Sequence, residues 1–204
     1  MNSRLYAPPV SETPLSVGDA ATIRRILKVN HAGEHGAIRI YRAQVFVARK
    51  TMPDIAPILT AMLDHEIRHH DMFLKSMPSR GARPCRVMSL WSMGGGALGL
   101  LTGLLGRRAV WVCTEAVEET VHRHLEDQLR FLQDRDKALH MAISEILTEE
   151  LAHLNTARAH ITFRTMADRW LSRMIALATE GVIWLSTWGD STRMFRELER
   201  AHLG

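Results

Sequence analysis

The chain has 204 residues, 46% hydrophobic and 24% charged, enough for one well-buried domain and short for two. Its formal charge of +4 comes from 26 Lys and Arg against 22 Asp and Glu. These are mostly scattered arginines, a weak attraction to anionic surfaces such as lipid headgroups or RNA that an ordinary solvated surface explains as well. The two cysteines, Cys85 and Cys113, form no C-x-x-C pair, which argues against a zinc knuckle or a disulfide framework.

In chain order, the opening MNSRLYAPPVSETPLSVGDA has no apolar core behind a basic end, so no signal peptide is expected and the setting reads as reducing and cytoplasmic. Residues 1–18 read as a loosely ordered tail before one domain over 19–204. A first helix is predicted over about 19–50, ended by TMPD. A second runs from about 54 to before Pro78, with Pro57 tolerated in its first turn. A third spans about 108–132, a fourth about 136–161, and a fifth about 166–188, ended by Gly189.

Between the second and third lies a long connection carrying VMSLWSMGGGALGLLTGLLG, twenty uncharged residues between Arg86 and Arg107. That length reaches a membrane span, but its three successive glycines make a poor straight one. A buried connecting helix, a segment dipping into one leaflet and a true span are all compatible with it. The fifth helix, with RWLSRMIALATEGVIWLSTWG, is also apolar and tryptophan-rich. Two such segments in a small protein point to membrane-surface contact or an apolar substrate.

Residues three and four apart share a helix face. In the second helix the apolar stripe is Ile55, Leu59, Met62, Leu63, Glu66, His69 or His70, Phe73; in the fourth it is Ile143, Ile146, Leu147, Glu150, His153, Leu154, Ala157, Ile161. Each stripe carries E-x-x-H where a solvated face would not put it. The first helix places Glu34 among Leu27, His31, Ile38, Tyr41 and Val45. The third places Glu118 among Trp111, Thr114, Val121, Leu125, Leu129 and Leu132. Glu34 to Glu66 is 32 positions, as is Glu118 to Glu150, and Glu34 to Glu118 is 84, as is His69 to His153. The chain thus reads as two helix pairs, about 19–77 and 108–161, related by a pseudo-twofold axis and converging six ligands.

Four ionised carboxylates in an apolar bundle would repel one another and cost several kcal/mol each, on the order of a buried ion's desolvation. Two divalent cations neutralise them, and carboxylate with imidazole suits iron or manganese. The fold class expected is all-α, a ferritin-like four-helix bundle with a long apolar connection and an additional C-terminal helix. The six ligands are Glu34, Glu66, His69, Glu118, Glu150 and His153. One E-x-x-H is a weak signal, but two at matched spacing are a strong one. His65, His70, His122 and His124 read as surface or ordinary core, with orientation of a ligand as their alternative use. Glu115, Glu119 and Glu149 read as solvated or salt-bridged.

VNHAGEHGAIRIYRAQ (29–44), HEIRHH, CTEAVEETVHRHLEDQL (113–129) and EELAHL (149–154) resemble the demethoxyubiquinone hydroxylases of ubiquinone biosynthesis, over residues 20–204. The resemblance implies that the six residues are ligands of two iron ions per chain. It implies O2-dependent hydroxylation of a 2-polyprenyl-3-methyl-6-methoxy-1,4-benzoquinol, with activity carried by the same six residues. His35 stands where members often have tyrosine, and His124-Leu125 where many have His-Tyr, which puts any relay through those tyrosines in doubt. No Rossmann or flavin fingerprint is present, so electrons must come from an external donor or the quinol.

The implied partners are the quinol, O2, the donor, a membrane lipid surface and other ubiquinone-biosynthesis proteins, without nucleic acid. The implied place is the cytoplasmic face of the cell membrane, peripherally, held by Leu98, Leu100, Leu101, Leu104 and Leu105 with Arg107 and Arg108. The rival functions are a hydroxylase of a modified tRNA base, a ferroxidase or iron-storage protein, and a metal-free helical interaction domain.

Overall fold

A computed structural model describes residues 15–187 and 190–203. Its helices are α1 (Val17–Thr51), α2 (Ala56–Ser76), α3 (Met88–Leu104), α4 (Arg107–Leu132), α5 (Lys137–Ala159), α6 (Met166–Thr187) and α7 (Asp190–Leu203), with a short 3-10 turn at Pro78–Arg80. Among the described residues there is no strand, in agreement with the all-α expectation. The first fourteen positions of the expected tail lie outside the described residues, and α1 begins inside that range, at Val17.

Helix ends follow local chemistry. Ser16 caps α1 by accepting from the Asp19 amide, and Pro53 follows the last turn, where a helix cannot continue. The Asp136 side chain accepts from the Leu139 amide and caps α5. At α6, the Thr165 hydroxyl accepts from the Asp168 amide while Asp168 accepts from the Thr165 amide, a reciprocal cap at the predicted start. Gly106 enters α4 with φ of 95°, a backbone conformation that favours glycine.

Helices α1, α2, α4 and α5 make the expected bundle, α1 against α2 and α4 against α5. The predicted stripes are its seam, with Leu27, Tyr41, Leu59, Phe73, Trp111, Leu125 and Ile143 all buried. Arg80 reaches from the 3-10 turn to Asp136 with two hydrogen bonds, of 2.6 and 2.8 Å, fully buried. That pair ties the first half to the start of α5.

The apolar connection is α3, and it lies along α1. Gly95, Gly99 and Gly103, four residues apart, form the face it presents. A Cβ on Gly95 would lie 2.6 Å from the Gly36 carbonyl oxygen, and one on Gly99 would enter the Ile40 backbone. Small residues at this spacing let two helix backbones approach closely. The opposite face is exposed at Met93, Leu100, Leu101, Leu104 and Leu105, so α3 is a packed connecting helix but not a buried one. Among the described residues no helix is long and apolar enough to cross a membrane. At 1.5 Å per residue, α3 rises about 26 Å, short of the ~30 Å hydrocarbon core.

Helix α6 packs on α4, as the additional helix expected. Helix α7 was not foreseen, because the sequence reading stopped at Gly189. It packs on α1, α4 and α6 and buries Met194 and Leu198, four residues apart.

Candidate metal centre

The two expected helix pairs bring all six predicted residues together in the seam, each no more than 5% exposed. Glu34, Glu66, His69 and Glu150 offer ligand atoms within 4.8 Å of one another, and so do Glu66, Glu118, Glu150 and His153. Glu66 and Glu150 belong to both groups. Each group could hold a metal ion, and the two groups overlap in these two carboxylates.

The histidines present the same nitrogen inward. His69 Nδ1 lies 3.0 Å from Glu150 Oε1, and His153 Nδ1 lies 3.3 Å from Glu66 Oε1 and 3.4 Å from Glu150 Oε2. Yet Glu66 Oε1, Glu150 Oε2, His69 Nδ1 and His153 Nδ1 are buried without a hydrogen-bond partner. They are close to one another and out of line for hydrogen bonding. Buried polar atoms are almost always satisfied. Four unsatisfied ones on residues of the two overlapping groups fit a role in holding divalent cations.

The charge balance agrees. Burial, then the neighbouring Glu66, push the Glu34 carboxyl well above its usual range. Burial and Glu150 push Glu118 up to about 8. Burial also acts against a charged His153, but the close carboxylates of Glu118, Glu150 and Glu66 carry it up to about 12. Protons thus gather in this seam as a substitute for metal charge.

Around this centre sits a second set of side chains. His69 Nε2 donates to Glu149 Oε2 at 2.9 Å, and His153 Nε2 pairs with His65 Nδ1 at 3.1 Å. The Tyr41 hydroxyl donates to Glu118 Oε1 at 2.5 Å. His65 thus touches His153, one of the six expected ligands. Glu149 is salt-bridged as expected, to Arg68 and His65, but its hold on His69 escaped the sequence reading. A signal existed: Glu149 stands 84 positions after His65, the offset of the ligands.

The other expectations divide. The His70 ring lies against that of His31, tilted by 32° with ring centres 4.2 Å apart, outside the ligand groups. His122 pairs with Glu126, and His124 with Glu180. Glu119 is exposed and pairs with Arg158, so Glu118 is the seam residue. Glu115 is buried and ion-paired with Arg158 and Arg164. His35 hydrogen-bonds Ser92 of α3 at 2.7 Å.

A cavity of about 180 Å³ reaches the cluster between α1, α3, α4 and α6, with Glu34, Glu66, Glu118 and Glu150 at its inner wall. Its sides are mostly apolar: Ile40, Trp91, Leu98, Val117, Val121, Leu125, Val182 and Ile183, with His124 and Asn30 as polar breaks. Glycines 33, 36, 94 and 95 line it too. The two outer walls, α3 and α6, also carry large exposed apolar side chains, Leu104 and Leu105 on one, Trp170, Leu177 and Trp184 on the other.

Residues 21–186 match the family described as ubiquinone biosynthesis protein COQ7. The chain belongs to that family. The NADPH-dependent 3-demethoxyubiquinone 3-hydroxylase, mitochondrial, of Mus musculus is 36% identical over 170 residues, 81% of this chain and 77% of that protein. The 3-demethoxyubiquinol 3-hydroxylase of Rhodospirillum rubrum is 38% identical over 167 residues, covering 82% and 78%. The 5-demethoxyubiquinone hydroxylase, mitochondrial, of Saccharomyces cerevisiae is 33% identical over 183 residues, covering 82% and 76%.

Proposed function

We propose that this chain is an O2-dependent monooxygenase of ubiquinone biosynthesis that hydroxylates the ring of a 2-polyprenyl-3-methyl-6-methoxy-1,4-benzoquinol. Two iron ions are held by Glu34, Glu66, His69, Glu118, Glu150 and His153 in one domain over 19–204. The observation that carries this reading is the cavity, whose inner wall is the carboxylate cluster and whose sides are apolar. A hydrophilic cage for iron storage, or a site for a tRNA base, has no use for such walls.

When bound, the iron pair supplies the activation of dioxygen. One oxygen atom enters the ring as a hydroxyl and the other leaves as water, consuming two protons and two electrons from an outside reductant. The mouse relative is named NADPH-dependent, and for this chain we take the outside reductant to be of that class. The protein's part is placement. Gly33, with nothing within 4 Å of where a Cβ would stand, leaves room for a flat ring beside Glu34. Gly36 makes room for the Trp91 indole, and Val117, Val121 and Leu125 keep water from the ring. Glu149 and His65 fix the ring planes of His69 and His153, as outer partners of metal-bound histidines do.

The polyprenyl tail partitions into lipid, so the protein works as a peripheral enzyme on the cytoplasmic face of the membrane. The exposed leucines of α3 and the tryptophans of α6 bury apolar area at that surface, and basic residues add attraction to anionic lipid. Organic extraction of the purified protein tests the substrate class. Recovery of a bound prenylated quinone supports the reading, and its consistent absence with metal bound argues for the rivals.

A further inference from the structure

The two halves of the bundle repeat their ligands at an offset of 84, but they do not repeat what stands behind them. Position 149 holds a glutamate and position 65, its counterpart, a histidine. Each supports the histidine of the opposite half: Glu149 Oε2 accepts from His69 Nε2 directly at 2.9 Å, while His153 Nε2 lies 3.1 Å from His65 Nδ1, which stands between it and the same Glu149 oxygen, 3.2 Å away. A carboxylate behind an imidazole raises its basicity as a ligand more than a second imidazole does. Arg68 also reaches Glu149, at 3.1 Å, but that contact is half-exposed and screened by solvent.

A second asymmetry has the same sign. The Tyr41 hydroxyl donates to Glu118 Oε1 at 2.5 Å, which occupies a lone pair and draws charge from that carboxylate. The counterpart of Tyr41, 84 positions on, is Leu125, which has no hydroxyl to offer Glu34. One end of the cluster therefore has a strengthened imidazole and a carboxylate, Glu34, that receives no hydroxyl from the position matching Tyr41. The other has an unstrengthened imidazole and a hydrogen-bonded carboxylate, Glu118.

We infer that the two metal positions are chemically unequal, and that the one built on Glu34 and His69 fills first and holds its ion more tightly. This rests on the six-ligand reading above. Glu149 and Tyr41 are positioning residues here, acting through His69 and Glu118. The inequality also orders the two ions for chemistry, the Glu118 and His153 position being the electron-poorer of the pair.

The test is a Co2+ titration of the metal-free full-length protein, followed by calorimetry and visible absorption, which needs no turnover. The wild type should show two resolved steps, separated beyond the statistical spacing of identical positions. Glu149→Gln keeps an acceptor oxygen but removes the charge. It should weaken the first step by roughly ten- to a hundredfold, the usual effect of outer-partner mutations, and weaken the second, which Glu149 reaches only through His65, several-fold less. Tyr41→Phe should tighten the second step several-fold and spare the first. Two equal sites in the wild type, or a Glu149→Gln effect spread evenly over both steps, would overturn the inference while leaving the six ligands standing. No Co2+ uptake by folded wild-type protein would overturn the ligand reading itself.

Discussion

Gly36 of α1 and Gly95 of α3 pack backbone to backbone, so that a Cβ on Gly95 would lie 2.6 Å from the Gly36 carbonyl oxygen. This contact, continued by Gly99 against Ile40, holds α3 as the outer wall of the cavity. Gly99→Ala gains helix propensity of about 1 kcal/mol, but its methyl meets the Ile40 backbone, which has no rotamer to yield. Overpacking of this kind costs roughly 1–3 kcal/mol or more, so the net effect should be a lower melting temperature. Gly96→Ala, with nothing within 4 Å of its Cβ, should be neutral or stabilising in the same measurement.

The choice of Glu118 over Glu119 makes a second prediction. Glu118→Ala should reduce bound metal and abolish oxygenation with helix content retained. Glu119→Ala removes only a half-exposed ion pair with Arg158, worth about 0–1 kcal/mol, and should keep both metal and activity. The reverse pattern would place the helix register one residue off.

Metal removal should change the pH dependence of stability. In the metal-free protein, Glu34 and Glu118 have folded-state pKa values above the ordinary 4.5, Glu118 at about 8. The folded state then holds more protons than the unfolded one, so stability falls as pH rises from about 4.5 to 8. His69 and His153 are also shifted up; their stabilisation is complete below 6.5 and fades as pH climbs toward their folded values. Glu150, shifted down through His153 and His69 against the effect of burial, acts in the opposite sense. Metal binding requires deprotonated ligands and strengthens with pH. The melting-temperature gap between loaded and metal-free protein should therefore widen from pH 5 to pH 8; a gap that narrows would contradict this balance.

Leu101 and Leu104 are more than half exposed, beside the fully buried Thr102 and the buried Gly103. Replacing both with glutamate should release the protein from anionic lipid vesicles in a flotation assay, with metal content unchanged. A doubly substituted protein that still floats with the vesicles would move the lipid contact away from α3.

The bundle and its six convergent residues were legible because burial at 3.6-residue period and the 84-residue offset are both written along the chain. Glu66 and Glu150 stand out as acids in apolar stripes, and nothing but the core could hold them there. The lodging of α3 on α1 was harder to see. An uncharged run looks alike to lipid and to protein, and only the Gly95, Gly99 and Gly103 spacing tells of a close helix partner. Helix α7 escaped because its apolar positions, Met194 and Leu198, are sparse among charges in RMFRELER. Tyr41 and Glu149 act across the bundle, between residues 77 and 80 positions apart, a relation that no local pattern records.

The central claim is that this centre inserts an atom of dioxygen into a prenylated quinol ring. The direct measurement is turnover by the iron-loaded, lipid-bound protein under 18O2 in ordinary water, with mass analysis of the extracted quinol. One 18O atom is expected in the new ring hydroxyl, with no labelled product from the Glu150→Ala protein. A hydroxyl carrying only solvent oxygen, or labelled product from the variant that binds no metal, would contradict it.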